Sequence, residues 1–316
     1  MLEPKEYWVS PTQSDICPDM NGTENITLSD IVEKPWKYLD SNTKIHFCPG
    51  THTTNQTTNT LIQPVNRINI ENLALTGGTE STRATVDCGW NLSFAFQNVT
   101  NLTLSDMTFI HCGLEIPNDG IKRHISSSLQ IQNGTHAALF LRSTNNVTIK
   151  NVHIFSSNGY GLLGVNVLGD SSIIGCRFED NYWKISRSPT YSDQQIQPGG
   201  NTLFLLSYLP KDKYVDMTIL ETRFAHGIER DIQGVKASGG GLGFYLSSQT
   251  LTQARFSLFN CTFNNNTTPN GGNLIFITGD NIPFSVYLRI NSCNGYWAPY
   301  KLHAGRHCSH RIIVNH

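Results

Sequence analysis

Four carboxylates are the first side chains in this 316-residue chain whose types suggest chemistry: Asp170, Glu179, Asp180 and Asp216. Inverting cleavage of a glycosidic bond needs two carboxyl groups facing each other at roughly 6.5 to 9.5 Å, and calcium-assisted elimination needs several carboxylates around the ion. Glu179 and Asp180 are sequence neighbours beside a bend, and the spacing of Asp170, Asp180 and Asp216 looks too scattered for a calcium cage. The pattern favours solvated bend residues, so we expect no catalytic residues, no metal and no cofactor.

A second group has the composition of a sugar-binding site. Tyr182 and Trp183 stand close in sequence to Asp180 and Arg187, at the start of a polar stretch over 184–198. Aromatic faces can stack on sugar rings while charged groups bind hydroxyls. The alternative is that these rings only pack the polar stretch onto the rest of the chain. We take the four residues as candidate ligand-binding residues, with a glycan as the candidate ligand.

Asp180, Tyr182 and Trp183 lie at the end of an internal repeat between His136 and Trp183. An offset of 24 residues superimposes four apolar pairs: Leu139 on Leu163, Leu141 on Val165, Ile149 on Ile173, and Ile154 on Phe178. One period holds three short alternating strands, separated by bends at which Asn or Gly tolerates positive φ. Neither hairpins nor helices of ten residues fit into such a period. The repeat predicts an all-β fold, a single-stranded right-handed parallel β-helix.

The apolar pattern continues in both directions at longer intervals. Backwards, an offset of 45 and then one of 34 reach these positions: Phe94, Phe96, Leu102, Leu104, Met107, Phe109, and then Ile68, Ile70, Leu73, Leu75. Forwards, offsets of 46 and 39 reach Met217, Ile219, Phe224, and then Phe256, Leu258, Phe263. The pattern predicts about seven or eight coils. The surplus residues over 112–135, 184–198 and 225–238 are expected to leave the coils as loops, where binding sites usually lie.

The repeat also divides the chain. Residues 1–42 are expected to form a strand and a short capping helix over Leu28–Leu39, with Ser29 as its N-cap, because an open coil end would expose core and unpaired strand edge. Residues 43–299 form the β-helix, and residues 300–316 are predicted to be a tail outside it.

Composition and sequons bear on the compartment. A net charge of -1 with 15% charged residues gives no electrostatic reason for binding nucleic acid. The first residues lack the apolar core of a secretory signal, and no apolar run is long enough to span a membrane. Eleven Asn-x-Ser/Thr sequons nevertheless favour an extracellular or cell-surface protein whose signal peptide is missing from the sequence. The candidate glycosylation sites are Asn98, Asn101, Asn146 and Asn260.

Eight cysteines show neither a CxxC pair nor metal-ligand spacing. Cys176 and Cys261 share an inward slot of the repeat and are predicted to be small core residues. The other six lie near coil ends, where an oxidising compartment permits disulfides. The favoured pairs are Cys88 with Cys112 and Cys17 with Cys48.

Several segments resemble a family of extracellular right-handed β-helix proteins that occurs in many copies in early-branching animals. The matching segments are YWVSPT at 7–12, TKIHFCPGTH at 43–52, FAFQNVTNLT at 94–103 and GYGLLGVNVLG at 159–169. The resemblance covers Glu6 to about Asn294 and implies a pectate-lyase-like fold without known catalytic residues to carry over.

Together, these observations favour a non-catalytic extracellular or cell-surface module with a structural or ligand-binding role, whose partners are glycans or extracellular proteins. The alternative is a carbohydrate-active enzyme, a polysaccharide lyase or a glycoside hydrolase.

Overall fold

The structure is a computed structural model that describes residues 4–12, 17, 25–54, 60–62, 69–78, 82–113, 137–182, 200–206, 213–227, 240–246, 253–266, 274–278, 285–291, 294–295 and 310–315. Within these residues, no helix has the length and apolar composition needed to cross a membrane.

The described chain consists of short strands and two short helices. The elements before the first coil are β1 (Lys5–Ser10), β2 (Asn25–Thr27), α1 (Leu28–Glu33) and α2 (Pro35–Tyr38). Seven coils of three strands follow: β3 (Thr43–Phe47), β4 (Gly50–His52), β5 (Thr60–Ile62); β6 (Ile70–Gly77), β7 (Ala84–Asp87), β8 (Leu92–Gln97); β9 (Val99–Ser105), β10 (Met107–Ile110), β11 (Ala137–Arg142); β12 (Asn145–Lys150), β13 (His153–Phe155), β14 (Tyr160–Val165); β15 (Gly169–Ile174), β16 (Arg177–Glu179), β17 (Gly200–Leu206); β18 (Tyr214–Leu220), β19 (Arg223–Ala225), β20 (Leu242–Leu246); β21 (Gln253–Phe259), β22 (Thr262–Asn264), β23 (Leu274–Thr278). The last strands are β24 (Ser285–Asn291), β25 (Asn294–Gly295) and β26 (His310–Asn315).

Every third strand stacks in parallel on its equivalent in the next coil, which produces three sheets. Sheet A has the order β2-β1-β3-β6-β9-β12-β15-β18-β21-β24-β26, sheet B runs from β4 to β25, and sheet C runs from β5 to β23. The fold is a right-handed parallel β-helix, as the repeat predicts. Part of the predicted tail joins the coil, because β26 pairs with β24 along its whole length.

The strands pair in this way because their side chains alternate between core and outer face. In β12, Val147 and Ile149 are buried, whereas Thr148 and Lys150 point outward. One apolar core runs along the axis of the described coils. Its phenylalanines stack from coil to coil: the ring centroids of Phe178 and Phe224 are 5.4 Å apart with an interplanar angle of 9°.

The predicted register is confirmed in sheet A from β9 onward and in sheet B from β10 onward. Ile149 pairs with Ile173, and Ile154 pairs with Phe178. The offsets of 45, 46 and 39 are also those of the strand pairs in these two sheets. The apolar slots therefore identify neighbouring coils correctly wherever strands and bends keep the same length.

The predicted register is wrong in sheet C. Here Leu141 pairs with Gly164, and Val165 pairs with Arg142, so the offset is 23. The extra residue lies in the connection to sheet A, which spans 143–144 in one coil and 166–168 in the next. Because one residue of slip reverses the direction of every side chain, Leu163 and Val165 do not belong to the central core.

These two side chains belong to a second apolar cluster, which also contains Phe140 and Leu203. In β14 the opposite positions, Leu162 and Gly164, face the core, since Leu162 is in the core cluster and Gly164 lies under the ring of core residue Phe204. The second cluster is thus on the outer face of sheet C, and its members are nonetheless buried.

The backward offset of 34 is also wrong. Leu73 pairs with Leu102 and Leu75 with Leu104, an offset of 29. The coil that begins with β6 is five residues shorter than predicted. The wrong offset was not apparent from the sequence, because it also superimposes apolar residues on apolar residues.

The capping helix is present, but its N-cap is Thr27 rather than Ser29. The Asp30 N–H donates to Thr27 Oγ1 at 3.3 Å, and the Thr27 N–H donates to Asp30 Oδ2 at 2.7 Å, which is a complete capping box. Ile31 and Val32 of α1 are buried in the core cluster at the first coil. The helix thereby closes the end of the core, and the break before Pro35 separates it from α2.

An asparagine ladder holds successive coils together at the start of the sheet A strands. Asn72 Nδ2 donates to Asn42 Oδ1 at 2.9 Å, Asn101 Nδ2 to Asn72 Oδ1 at 2.9 Å, and Asn146 Nδ2 to Asn101 Oδ1 at 3.2 Å. All four asparagines have φ between 53° and 58°. Gly169 ends the ladder because it has no side-chain amide, and a Cβ atom at this position would collide with Asn146 Oδ1.

Candidate functional site

The predicted ligand-binding residues lie where the chain leaves sheet B for sheet C. Asp180 follows β16 directly and is exposed, and Tyr182 forms a parallel bridge to Asn158 of the preceding coil. Trp183 and Arg187 lie outside the described residues. The connections from sheet B to sheet C span 53–59, 88–91, 111–136, 156–159, 180–199, 226–241 and 265–273. All three predicted loops therefore emerge along the same corner of the coil, which we call the B–C corner.

Asp180 is one member of a column of bend residues at this corner. His111, Ser156, Asp180, His226 and Asn265 each follow a strand of sheet B, and each has φ between 48° and 55°. Backbone hydrogen bonds join the column, for example from the Asp180 N–H to Ala225 O at 3.1 Å. The positive φ turns the chain sharply and directs these polar side chains outward. His226 Nδ1 lies 3.4 Å from Asp180 Oδ1, so the column also contains an ion pair when His226 is protonated.

A buried amide network supports the column from below. Asn181 Nδ2 donates to Asn201 Oδ1 at 2.8 Å, and Asn201 Nδ2 donates to Asn266 Oδ1 at 2.9 Å. Asn181 also accepts from the Ser157 N–H at 3.0 Å, and both Asn181 and Asn201 are fully buried. Buried amides with satisfied hydrogen bonds rigidify the backbone that they join. The sequence reasoning missed this network, although Asn181 and Asn266 both directly follow a bend residue.

Gly227 takes the position of Asn181 and Asn266 in the intervening coil. A Cβ atom at Gly227 would collide with Gly240 O and would lie 2.7 Å from Asn201 Nδ2. The glycine therefore leaves the space in which Asn201, from β17, completes the amide network.

The outer face of sheet B next to this corner is charged. His153, Arg177 and Arg223 are register neighbours in β13, β16 and β19. Arg223 Nε donates to Glu179 Oε1 at 2.8 Å. Arg83 reaches this face from the second coil, with Nη1 2.6 Å from His153 Nδ1. Burial, together with the charges of Arg83 and Arg177, lowers the pKa of His153 to about 4, so the ring is neutral at physiological pH.

A second polar group lies on the outer face of sheet A, and here the structure corrects the sequence reasoning. Asp170 and Asp216 are direct neighbours in β15 and β18, not scattered in the register. Tyr214 Oη donates to Asp170 Oδ2 at 3.1 Å, which raises the pKa of the phenol. Arg255 Nη1 donates to Asp216 Oδ2 at 3.2 Å. Asp180 is on a different corner, so the three aspartates do not converge on one point.

The described part of the chain contains no group of three or more His, Cys, Asp or Glu side chains arranged to hold a metal ion. The carboxylates of both polar faces instead contact cations or a phenol. A carboxylate oxygen that accepts a charge-assisted hydrogen bond is held in place by it. These contacts therefore decide whether the carboxylates are directed at a substrate for acid–base chemistry.

The candidate glycosylation sites fall into two structural classes. Asn98 and Asn260 are exposed bend residues with φ of 53° and 51°. Asn101 and Asn146 also have positive φ, but their side-chain amides donate hydrogen bonds within the asparagine ladder.

The cysteines that the structure describes form two disulfides, which are the two pairs favoured from the sequence. The Cα atoms are 5.7 Å apart in Cys17–Cys48 and 4.8 Å apart in Cys88–Cys112. Cys176 and Cys261 are in neither disulfide and are buried, as expected for core residues. Burial raises the pKa of the Cys176 thiol to about 12, so it is not a reactive thiolate.

No protein family and no protein of curated function matches the sequence. Among solved structures, the chain is similar to the pectate lyase Pel9A, at 13% identity and a TM-score of 0.45, over 100% of this chain and 78% of that one. It is similar to the pectate lyase Bsp165PelA from Bacillus sp. N165 in complex with trigalacturonate, at 11% identity and a TM-score of 0.46, over 98% and 81% of the two chains. It is also similar to PfbA, a surface adhesin of Streptococcus pneumoniae, at 12% identity and a TM-score of 0.31, over 87% and 79%. We draw no functional argument from these similarities.

Proposed function

We propose that the chain is a non-catalytic extracellular or cell-surface module that binds a glycan at the B–C corner. The observation that carries this proposal is that three carboxylates are bound by neighbouring side chains. Glu179 is bound by Arg223, Asp216 by Arg255, and Asp170 by Tyr214. Acid–base cleavage requires a carboxylate directed at the scissile bond, whereas these three are directed at neighbouring side chains of the protein itself.

The B–C corner has the features of a binding surface. Asp180 and His226 are exposed on rigid bends above the buried amide network, and the long connections of the chain begin and end beside them. Binding residues are often carried by loops that a rigid scaffold positions. Tyr182, Trp183 and Arg187 follow Asp180 in the same connection and supply the aromatic and cationic groups expected at a sugar site.

The two disulfides support an extracellular setting, because disulfides persist in oxidising compartments. The sequons at Asn98 and Asn260 point in the same direction, since both asparagines are exposed.

A glycan array with the glycosylated chain tests the binding function. We expect binding to a restricted set of glycans, with binding lost in Tyr182→Ala and weakened in Asp180→Asn. Asp216→Asn is the matched control, because it removes the same charge from sheet A, and we expect it to bind as the unchanged protein does. Equal loss in all three variants, or no binding to any glycan, would contradict the site.

The competing function, a carbohydrate-active enzyme, is favoured by one observation. Asp170 and Asp216 are adjacent carboxylates on an outer face, with Tyr214 and Arg255 beside them. Reducing-end and unsaturated-product assays on polygalacturonate and alginate, with and without calcium, test this function. We expect no turnover. Turnover that disappears in Asp170→Asn together with Asp216→Asn, or in Glu179→Gln together with Asp180→Asn, would establish an enzyme and identify its face.

A further inference from the structure

Arg83 and Arg177 form an unusual pair of cations on the outer face of sheet B. Arg83 directly precedes β7, and its side chain extends past Thr108 of β10 to reach His153 of β13. Two strand spacings are about 9.6 Å, so the arginine and the imidazole side chains both extend along the sheet to meet.

His153 positions the Arg83 guanidinium without neutralising it. Nη1 of Arg83 lies 2.6 Å from both ring nitrogens of His153, and the ring packs edge-on against Phe155 with centroids 5.6 Å apart. Because the ring is neutral at physiological pH, only its unprotonated nitrogen accepts from Arg83 Nη1, and the ring adds no charge of its own. Nε of Arg83 is buried and has no hydrogen-bond partner among the described residues.

Among the residues that the structure describes, neither arginine is bound by a carboxylate. Glu179, on the same face as Arg177, is bound by Arg223 at 2.8 Å, and Asp87 is bound by His111 Nδ1 at 3.1 Å. No carboxylate of the described chain lies within 4.0 Å of Arg83 or Arg177. Arg177 is exposed, and its register neighbours on both sides are His153 and Arg223.

We propose that Arg83 and Arg177 bind the sulfate or carboxylate groups of an acidic polysaccharide that lies along the axis on the outer face of sheet B. Guanidinium groups bind both kinds of oxyanion through paired N–H donors. The Arg83 guanidinium at His153 and the Arg177 side chain lie on neighbouring coils about 4.8 Å apart, and Arg223, which binds Glu179, follows in the next coil along the same line. A linear polymer with acidic groups at regular intervals can contact this line over several units, whereas a single small anion would use only one position.

This site is separate from the glycan site proposed for the B–C corner. It depends on cations rather than on Tyr182 and Asp180, and it would stand if the corner bound nothing. The two proposals therefore fail independently.

Binding of a heparin oligosaccharide and of an oligogalacturonate, each measured by calorimetry at low and at physiological salt, tests the proposal. We expect binding to at least one of them, weakened by salt because the contact is ionic. Binding to heparin alone identifies sulfate as the bound group, and binding to the oligogalacturonate alone identifies carboxylate. Arg177→Gln should weaken binding about tenfold or more, the loss expected for one charge-assisted hydrogen bond. Arg83→Gln should have a similar effect.

Lys150→Gln is the matched control, because Lys150 is an exposed cation on the outer face of sheet A. We expect no change in affinity from this substitution. Thermal unfolding of each variant separates folding from binding, and Arg177→Gln should unfold with the unchanged protein because Arg177 makes no side-chain hydrogen bond or ion pair in the described chain. Equal losses in Arg177→Gln and Lys150→Gln, no binding to either oligosaccharide at low salt, or complete displacement by single-stranded DNA of equal charge would overturn the proposal.

Discussion

Substitution of Gly164 by alanine tests the register of sheet C, because the two possible registers predict changes of opposite sign in the free energy of unfolding. In the structure Gly164 faces the core and pairs with Leu141 and Phe204. A Cβ atom at Gly164 would lie 2.7 Å from Phe204 Cε1, closer still to Cδ1, and 3.0 Å from Val167 Cγ2. In the register read from the 24-residue repeat, Gly164 would instead pair with Phe140 and face outward.

The magnitude follows from two opposing effects. Gly→Ala at an unstrained position stabilises a protein by about 0.4 to 1 kcal/mol, because the unfolded chain loses conformational freedom. Overpacking of a close-packed core costs about 1 to 3 kcal/mol. Because Phe204 is about 2% exposed and stacks on Phe244 at 5.6 Å, its ring cannot simply move away. We therefore expect Gly164→Ala to lower the free energy of unfolding by about 1 to 2 kcal/mol.

Urea denaturation followed by far-UV circular dichroism measures this change. A double-mutant cycle with Phe204→Ala identifies the cause, since alanine lacks the Cδ1 and Cε1 atoms that meet the added Cβ, and the coupling energy should be about 1 kcal/mol or more. A stabilising Gly164→Ala, or a coupling energy near zero, would refute the register in which Phe204 covers Gly164.

Three further predictions concern the core, an ionisable side chain and the sequons. Ile149→Asp should unfold the chain, because it places an unpaired charge in the core at a cost of several kcal/mol, while Thr148→Asp on the outer face should leave the thermal midpoint within a few degrees; a folded Ile149→Asp protein would contradict the inward direction of this position. The pKa of His153 is near 6.5 in the unfolded chain and about 4 in the folded chain, so protonation favours the unfolded chain. The free energy of unfolding should therefore fall as the pH drops from 6.5 towards 4. His153→Gln should remove this part of the pH dependence, and an unchanged slope would show that His153 does not titrate as described. Protein from a secreting eukaryotic host should lose mass on removal of N-glycans, and Asn98→Gln and Asn260→Gln should each remove one glycan by intact-mass measurement; unchanged mass in both variants would assign these sequons to bend composition alone.

Much of the fold follows from the sequence because the same physical constraints act on every coil and produce the repeat. Each coil must place apolar residues on the inside and a residue that tolerates positive φ at each tight bend, so Ile149, Ile173 and Ile219 recur in sheet A with Asn or Gly at the bends. The same constraint makes Cys176 and Cys261 core residues. The number of coils, the parallel pairing and the cap over the first coil could all be predicted from these positions.

The register of sheet C could not be predicted in this way. Both faces of β14 are apolar, with Leu162 in the core and Leu163 in the outer cluster, so the alternation that fixes direction in sheets A and B is absent. An insertion of one residue at a bend then changes which leucine faces the core, and the sequence pattern does not reveal the insertion.

The candidate sites depended still more on the tertiary structure. The sequence by itself determined that Asp180 is a bend residue and that Cys17, Cys48, Cys88 and Cys112 lie near coil ends. The adjacency of Asp170 and Asp216, the amide network through Asn201, and the contact of Arg83 with His153 are decided by which coils stack and how far each side chain reaches across them. The interval between coils varies with the inserted loops, so residues 70 positions apart in the chain, such as Arg83 and His153, become neighbours only when the strands pair.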